Sequence, residues 1–430
     1  MKRIDTLNIS DSKNVTVVLY KYGKMDEDYS ILKLREWQDV NNEEQYYKYY
    51  NVKGLLERVN YKDEVSKKLE YQYNDYDLLT EVSTYQDNAV QMRESYVYNA
   101  ENKVSQRIIS GLVNQTYSYF YNSNFARSLD YIAFGNYQFK PLTDVNGRNT
   151  GREILGYGTN KIAAEYISYR KVGDRATNMP STVWFGNGEK IKDSIKYKYD
   201  KCGNITEVTE NGHTSAKYTY DDLNRIVRED NKPLNKTVLY SYDNNGNITE
   251  RCEYSYTSKI GEELTELNCI HYDYDYSGDR LESYNGEGFW YNEQGSPTTY
   301  RGNPMTWKYG KLLESYSGTN FYYDGLGRRT RKGDITYVYD NDGRLIKQSN
   351  GLEFIYDACG VIGVRYNNRQ YFYRRDARGN IIAILDSSGT VVVKYIYDAW
   401  GNHAVVDRND EDIDDMTNIG NMNPFRYNGY

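Results

Sequence analysis

Aromatic and polar positions alternate along this chain in a short pattern that recurs about every twenty residues, a period typical of repeat architectures. Because positions i and i+2 of an extended strand leave the same face, the two rings of each copy share one face. The pattern therefore predicts strands. Nine copies read Tyr-x-Tyr followed by Asp or Asn and three begin with Phe; the copies start at Tyr71, Tyr96, Tyr119, Tyr197, Tyr218, Tyr240, Tyr272, Tyr337, Tyr395, Phe289, Phe321 and Phe354.

The residues after each copy predict a tight turn. In YKYDKCGNITEV, Asp200 can accept hydrogen bonds from the following backbone N–H groups, and Gly203 supplies the positive φ that other residues resist. The chain then resumes as a second strand, so the unit predicts a β-hairpin. We expect positive φ at Gly203, Gly246, Gly327 and Gly343. The structural turn residues predicted by this spacing are Asp200, Gly203, Asp243, Gly246, Asp324, Gly327, Asp340, Gly343, Asp376, Gly379, Asp398 and Gly401.

Composition supports a folded chain once tyrosine is counted as a core residue. The mean hydropathy of −0.87 alone would favour disorder, but the chain has 50 tyrosines. Each tyrosine ring can bury about 150–250 Å² while its hydroxyl finds a partner. We therefore predict an all-β protein. The net charge of −7, with acidic and basic residues interspersed, argues against a nucleic-acid partner, which favours a clustered basic stripe.

The repeats divide the chain into segments. Residues 1–45 are strand-like but match the unit poorly, and residues 46–122 hold a first array of repeats. Residues 123–190 are a degenerate zone with Pro141 and Pro180, and residues 191–370 hold a second array. No apolar run approaches the roughly 20 residues that a bilayer-spanning helix needs.

Catalytic and metal-binding patterns are absent from the sequence. His213, His271 and His403 lie far apart and have no local context of a catalytic triad. No metal-ligand spacing occurs, and residues 273–278 imitate only the first half of a calcium loop. We expect no catalytic residues, no cofactor-binding residues, no metal ligands and no enzymatic activity.

Two of the four cysteines could form a disulfide. A hairpin centred on Ile260 and Gly261 would place Cys252 directly opposite Cys269, with Tyr254 facing Leu267. Four cysteines in a chain of this length do not require a disulfide framework. The sequence therefore allows either a disulfide between Cys252 and Cys269 or two free thiols at these positions.

From about residue 46 onwards the chain resembles the YD-repeat, or Rhs-repeat, family. Residues 371–430 look like the start of the Rhs-associated core, a resemblance carried by three motifs in order. These are Arg375-Asp376-x-x-Gly379-Asn380, Tyr397-Asp398-Ala399-Trp400-Gly401-Asn402 and Asn423-Pro424-Phe425-Arg426-Tyr427. Family members include Rhs polymorphic toxins, wall-associated proteins, toxin-complex C components and teneurins. The resemblance implies a spiral of antiparallel β-hairpins forming part of a YD-repeat β-shell.

The resemblance also implies a function. The chain is expected to be a structural shell segment that encapsulates and helps to deliver a C-terminal toxin or effector domain, with that domain and the remaining shell as partners. The Asp-Pro segment of self-cleaving relatives is not in this sequence, so we expect no self-cleavage. The alternative is a carbohydrate-binding surface adhesion module that uses exposed tyrosine faces. The payload, the delivery system, the glycan specificity and the oligomeric state cannot be predicted.

The start of the chain bears on its location. MKRIDTLNISDSKN is basic at first but lacks the apolar run of a signal peptide. Because both ends lie within repeat-like sequence, we expect a piece of a longer protein that is secreted or displayed on a cell surface.

Overall fold

A computed structural model describes residues 6–10, 16–22, 31–36, 46–51, 53–62, 66–122, 128–173, 175–187, 190–259, 261–278, 280–308, 312–324 and 326–429. Much of the predicted 1–45 segment lies outside these ranges. Ile260, at the predicted centre of the cysteine-containing hairpin, lies outside them as well.

The first part of the chain forms a long series of strands. They are β1 (Thr6–Ser10), β2 (Thr16–Tyr22), β3 (Ile31–Glu36), β4 (Tyr46–Tyr50), β5 (Leu56–Lys62), β6 (Ser66–Tyr73), β7 (Leu79–Gln86), β8 (Ala89–Tyr98), β9 (Val104–Gly111), β10 (Gln115–Tyr121), β11 (Leu129–Phe134), β12 (Tyr137–Thr143), β13 (Asn149–Leu155), β14 (Lys161–Val172), β15 (Arg175–Asn187), β16 (Lys190–Tyr199), β17 (Ile205–Glu210), β18 (His213–Tyr220), β19 (Ile226–Asn231), β20 (Lys236–Tyr242), β21 (Ile248–Ser255), β22 (Glu266–Tyr274), β23 (Leu281–Tyr284) and β24 (Glu287–Gly288).

The later part continues in shorter strands and ends in a short helix. The strands are β25 (Thr299–Tyr300), β26 (Asn303–Lys308), β27 (Leu312–Tyr316), β28 (Thr319–Tyr323), β29 (Arg329–Lys332), β30 (Ile335–Tyr339), β31 (Leu345–Gln348), β32 (Glu353–Asp357), β33 (Gly360–Tyr366), β34 (Arg369–Arg375), β35 (Ile381–Leu385), β36 (Val391–Tyr397) and β37 (His403–Val406). Helix α1 spans Ile419–Met422, and two 3-10 helices span Tyr157–Thr159 and Tyr427–Gly429.

Strands pair antiparallel with their neighbours in sequence, as the repeat predicts. This holds from β4 to β9, from β16 to β22 and from β33 to β37. The register shifts by one residue where many of the hairpins close, for example between Lys198 and Tyr199. The extra residue is a β-bulge. The prediction of an all-β fold of repeated antiparallel hairpins is confirmed.

The chain folds into two compact units, each assembled from two separate stretches. Unit 1 contains Met1–Phe120 and Trp290–Glu353, and unit 2 contains Tyr121–Phe289 and Phe354–Tyr430. In unit 1, Val59, Leu69 and Val82 form a core cluster onto which Leu326 packs from the later stretch. In each unit, hairpins from the earlier part of the chain therefore hold turns from the later part.

The core of unit 2 contains tyrosine as predicted. Val183, Phe185, Tyr197 and Tyr218 form one buried cluster. Alanines and an isoleucine from the later stretch pack against it. Because a buried tyrosine also needs a hydrogen-bond partner, such a core requires polar groups close by.

Candidate functional site

The turns of the repeat are organised by the aspartate or asparagine that opens them. The Oδ1 atom of Asp243 accepts hydrogen bonds from the backbone N–H groups of Asn245 and Asn247, at 2.9 and 2.8 Å. The φ of Gly246 is +92°, and its N–H donates to the Asp243 carbonyl. Asn224 has a φ of +63° at the same turn position. The corresponding φ values at Gly203, Gly327, Gly343, Gly379 and Gly401 are +95°, +79°, +79°, +90° and +90°.

The residue after the turn glycine secures the other carboxylate oxygen, a role that the sequence pattern did not reveal. The Asn247 side chain donates to Asp243 Oδ2 at 2.9 Å, and the Asn402 side chain donates to Asp398 Oδ2 at 2.7 Å. In another turn Arg328 takes this place opposite Asp324, with Nε 2.8 Å from Oδ2. This explains why Asn or Arg so often follows the glycine.

In eight of the described copies, the second tyrosine of the repeat links its hairpin to the preceding one. Tyr220 donates its hydroxyl to the carbonyl of Ile205 at 2.8 Å, and Tyr242 donates to Ile226 at 2.7 Å. Further links join Tyr73 to Leu56, Tyr98 to Leu79, Tyr199 to Pro180, Tyr274 to Ile248, Tyr339 to Arg329 and Tyr397 to Ile381. Because the hydroxyl is the linking group, phenylalanine cannot replace this tyrosine without losing the bond.

The first aromatic residue of the repeat serves a different purpose, since its ring is buried or half-buried in every copy. Tyr197 and Tyr240 are buried, and Phe321 and Phe354 take the same position and are also buried. Burial is the common requirement, so Phe is accepted here. This accounts for the copies that begin at Phe321 and Phe354, whereas Phe289 is only half-buried.

A buried ionic cluster holds a later turn onto earlier strands in unit 1. Arg107 Nε lies 2.6 Å from Glu94 Oε1, and Arg107 Nη2 lies 2.5 Å from Asp340 Oδ2. The backbone N–H of Asn341 donates to the second oxygen of Glu94 at 2.9 Å. Tyr96, which lies directly opposite Arg107 in the β8–β9 pair, also donates to Glu94. Burial raises the pKa of Asp340, while the Arg107 guanidinium opposes that shift.

A second cluster in unit 2 has the same design. Arg152 and Glu165 lie directly opposite each other in the β13–β14 pair, and their side chains are 3.1 Å apart. Arg152 also bonds Asp357 at 3.2 Å, while Glu165 accepts the backbone N–H of Arg375 at 2.9 Å. Arg152 and Glu165 thus bind Asp357 and the backbone N–H of Arg375, which belong to the later stretch of unit 2.

In a third contact in unit 2, one carboxylate accepts a backbone N–H of the later stretch and another carboxylate pairs with an arginine. Glu229 accepts the backbone N–H of Ala399 at 3.0 Å. Asp398, next in sequence to Ala399, bonds Arg251 at 3.1 Å, and Arg251 also bonds Glu253 at 2.9 Å. No cation bonds Glu229 among the residues that the structure describes.

The Asn423-Pro424-Phe425-Arg426-Tyr427 segment crosses the last strands of unit 2. Asn423 is buried, accepts the Tyr373 hydroxyl at 2.7 Å and donates to the Phe425 carbonyl at 2.6 Å. Phe425 packs edge-on against Phe354, and the Arg426 carbonyl accepts the N–H of Ile381. This motif therefore has a packing role that its sequence did not indicate.

The structure pairs the two candidate cysteines and corrects one detail of the predicted register. Cys252 lies directly opposite Cys269 in β21–β22, and the two sulfur atoms are bonded. The prediction that Tyr254 faces Leu267 is wrong. A shift between Glu253 and Tyr254 places Glu266 opposite Tyr254, because one residue of β22 bulges out of the pairing.

The remaining candidate groups assemble no catalytic or metal site in the described part of the chain. His271 is exposed beside Glu250. His403 is also exposed, and partial desolvation beside the rings of Tyr395 and Tyr397 lowers its pKa. No group of three or more His, Cys, Asp or Glu side chains is placed to hold a metal ion in those residues. No described helix is long and apolar enough to span a membrane.

The comparisons with known proteins agree with the repeat. Residues 259–413 match the family model described as Teneurin YD-shell. Over those residues the chain is therefore similar to YD-shell proteins. Its similarity extends to the tRNA3(Ser)-specific nuclease WapA of Bacillus spizizenii, with 26% identity over 330 residues that cover 72% of this chain and 12% of the relative. The tRNA nuclease WapA of Bacillus subtilis is 25% identical over the same shares.

Among solved structures, this chain is similar to TcdB2-TccC3 without its hypervariable C-terminal region. The TM-score is 0.46 at 11% identity, over 99% of this chain and 29% of that chain. The chain thus corresponds to about an eighth of the length of the WapA relatives. Their nuclease names describe those proteins as wholes.

Proposed function

We propose that this chain is a wall segment of an Rhs-type shell that encloses, and helps to deliver, a C-terminal toxin or effector domain. The observation that carries the proposal is the repeated docking of later turns onto earlier strands. In unit 1, Glu94 and Arg107 grip Asp340 and Asn341. Such contacts lock separate stretches of chain into a wall.

The fold is of the structural shell type, and the described side chains support a role without catalysis. The buried carboxylates of the clusters accept backbone N–H groups or arginine side chains, which are structural partners. The relatives are named tRNA nucleases, while this chain matches 12% of their length. We therefore assign any catalytic activity of the whole protein to a domain outside these 430 residues.

The partners follow from the same assignment. They are the enclosed effector domain and the remaining shell, and the location is extracellular or at a cell surface as part of a longer protein. A carbohydrate-binding role is not favoured, because repeat tyrosines are engaged within the protein. Tyr197 and Tyr240 are buried, and Tyr220 and Tyr242 are bonded to backbone carbonyls.

The test uses the natural gene product. Its intact mass should exceed the 50.4 kDa of this chain, and its C-terminal domain should resist added protease for as long as the repeats remain folded. Arg107→Ala should expose that domain to protease, because it leaves Glu94 and Asp340 buried without their cation. Arg225→Ala is the control, since its partner Asp221 lies at a more exposed turn.

Two results would contradict the proposal. One is a natural product no heavier than this chain. The other is a C-terminal domain that protease removes equally fast from the unaltered protein and from the Arg107→Ala variant.

A further inference from the structure

Glu229 is a fully buried carboxyl group in unit 2, with an exposed fraction of 0%. All of its hydrogen-bond partners are neutral. Oε1 accepts the Asn231 side-chain amide at 2.9 Å; Oε2 accepts the Ala399 backbone N–H at 3.0 Å and lies 3.4 Å from the Tyr240 hydroxyl. An ionised carboxylate in such a place has lost its water without gaining a cation.

Arg251, the cation whose charge acts on Glu229, is bonded to other carboxylates. Arg251 bonds Asp398 at 3.1 Å and Glu253 at 2.9 Å, so one guanidinium already serves two carboxylates. The titratable or charged groups that face Glu229 are Tyr218 and Tyr220 from β18, Tyr240 from β20, Arg251 from β21 and Asp398 from the turn after β36. Glu229 and Asp398 both lie near Arg251, and the repulsion between two neighbouring carboxylates favours protonation of one of them.

We propose that Glu229 is a proton-binding site whose carboxyl group stays protonated while the 398–402 turn is docked and releases its proton to water when that turn leaves. The proton has a suitable neighbour, because the Tyr240 hydroxyl can accept it as well as donate. The contact between β19 and the later turn thereby becomes coupled to pH. This goes beyond a wall of fixed contacts.

The direction of the coupling follows from the electrostatics. Burial raises the pKa of Glu229, and Asp398 adds to the shift, whereas Ala399, Asn231 and Arg251 oppose it. A carboxyl whose folded-state pKa is raised stabilises the fold fully below its unfolded value, near 4.3. That stabilisation disappears as the pH rises through the folded-state pKa. Acid should therefore tighten the docked turn, and alkali should loosen it.

Glu253 provides the matched control on β21, which is separated from β19 by β20. It pairs with both Lys236 and Arg251, at 2.7 and 2.9 Å. Burial raises its pKa, but the Lys236 and Arg251 contacts outweigh that effect and lower it overall. Stability that comes from Glu253 is thus present above the ordinary glutamate pKa and is lost as the pH falls.

The experiment compares Glu229→Gln and Glu253→Gln in the full chain. At pH 8, Glu229→Gln should raise the unfolding temperature by roughly 2–4 °C, because Gln supplies the same acceptor without a charge. The gain should shrink as the pH falls and vanish below about pH 4. Glu253→Gln should lower the unfolding temperature at pH 8. Loss of stability at pH 8 in Glu229→Gln, equal to that of the control, would overturn the proposal.

Infrared spectroscopy reads the proton directly, without relying on the stability of a variant. The unaltered chain at pH 7 should show absorption from a protonated carboxyl group that Glu229→Gln diminishes. Tyr240→Phe, which keeps the ring and removes the hydroxyl, should shift the frequency of that absorption. Absence of the absorption from the unaltered chain, or a band that neither variant alters, would overturn the assignment.

Discussion

At the scale of single residues, the two tyrosines of the repeat are not equivalent. The first is a buried ring for which Phe is an adequate substitute, as at Phe354. The second is a hydrogen-bond donor whose target lies on the preceding hairpin, as in the bond from Tyr242 to Ile226. The identity of each aromatic residue thus follows from what it contacts.

Removing one of these hydroxyls tests the distinction. Tyr242→Phe should destabilise unit 2 by about 1 kcal/mol, because it deletes the bond to the Ile226 carbonyl and keeps the ring. Amide hydrogen exchange of β19 and β20 measures the effect. The control is Tyr76→Phe, whose ring is 74% exposed and whose loss of a hydroxyl should change little. Equal effects in both variants would show that the hydroxyl link adds no stability.

The turn glycine allows a test of backbone conformation alone. No atom lies within 4 Å of where a Cβ on Gly246 would stand, so a substitution there meets no steric obstacle. Gly246→Val should still cost on the order of 1 kcal/mol or more, because its φ is +92°. Gly246→Asn should cost less, since Asn224 adopts the same conformation. Denaturant unfolding monitored at unit 2 provides the comparison, and equal losses would point to a cause other than φ.

At the scale of elements, the hairpins were predictable because their determinants are local. An Asp, a glycine three positions later and two strands with rings on one face lie within about twelve residues and need no distant information. The buried clusters were not predictable for the opposite reason. Arg107 and Asp340 are separated by more than two hundred residues, and no repeat position marks Glu94, Glu165 or Glu229. Only the fold brings these residues together.

The segment that follows helix α1 can be tested through its buried amide. Asn423→Ala should destabilise the packing of this segment by about 1–3 kcal/mol, because the Tyr373 hydroxyl and the Phe425 carbonyl lose their partner. Cleavage by trypsin after Arg426 should become faster. Met416→Ala serves as the control, since that side chain is exposed. Unchanged cleavage would mean that other contacts hold the segment.

The cysteine pair should stabilise the β21–β22 hairpin, whose connecting loop is longer than the repeat turns. Closing a loop across a sequence separation of 17 contributes about 3 kcal/mol in the chain-entropy description. Replacing both Cys252 and Cys269 with Ser should speed proteolysis near Lys259. The intact mass before and after reduction and alkylation reports whether the bond is present, and Cys202→Ser is the control because that thiol is free.

At the scale of the whole molecule, two units each depend on contacts between distant stretches. Arg107→Ala should lower the free energy of unfolding by about 3–5 kcal/mol, because it leaves the buried carboxylates of Glu94 and Asp340 without their cation. Loss of hydrogen-exchange protection should be largest in both stretches of unit 1, because Glu94 and Asp340 lie in different stretches of it. Protection lost in only one stretch would show that the ionic cluster does not join them.

The hydroxyl links also bear on how such a chain can lengthen during evolution. A linked repeat carries its own donor, such as the hydroxyl of Tyr220, and offers a carbonyl, such as that of Ile226, to the repeat that follows. A duplicated unit therefore arrives already equipped to join both neighbours. Recombination between copies can add or delete a whole hairpin without leaving a tyrosine hydroxyl or a carbonyl unpaired. The number of hairpins can therefore change while the pattern of hydrogen bonds between them is kept.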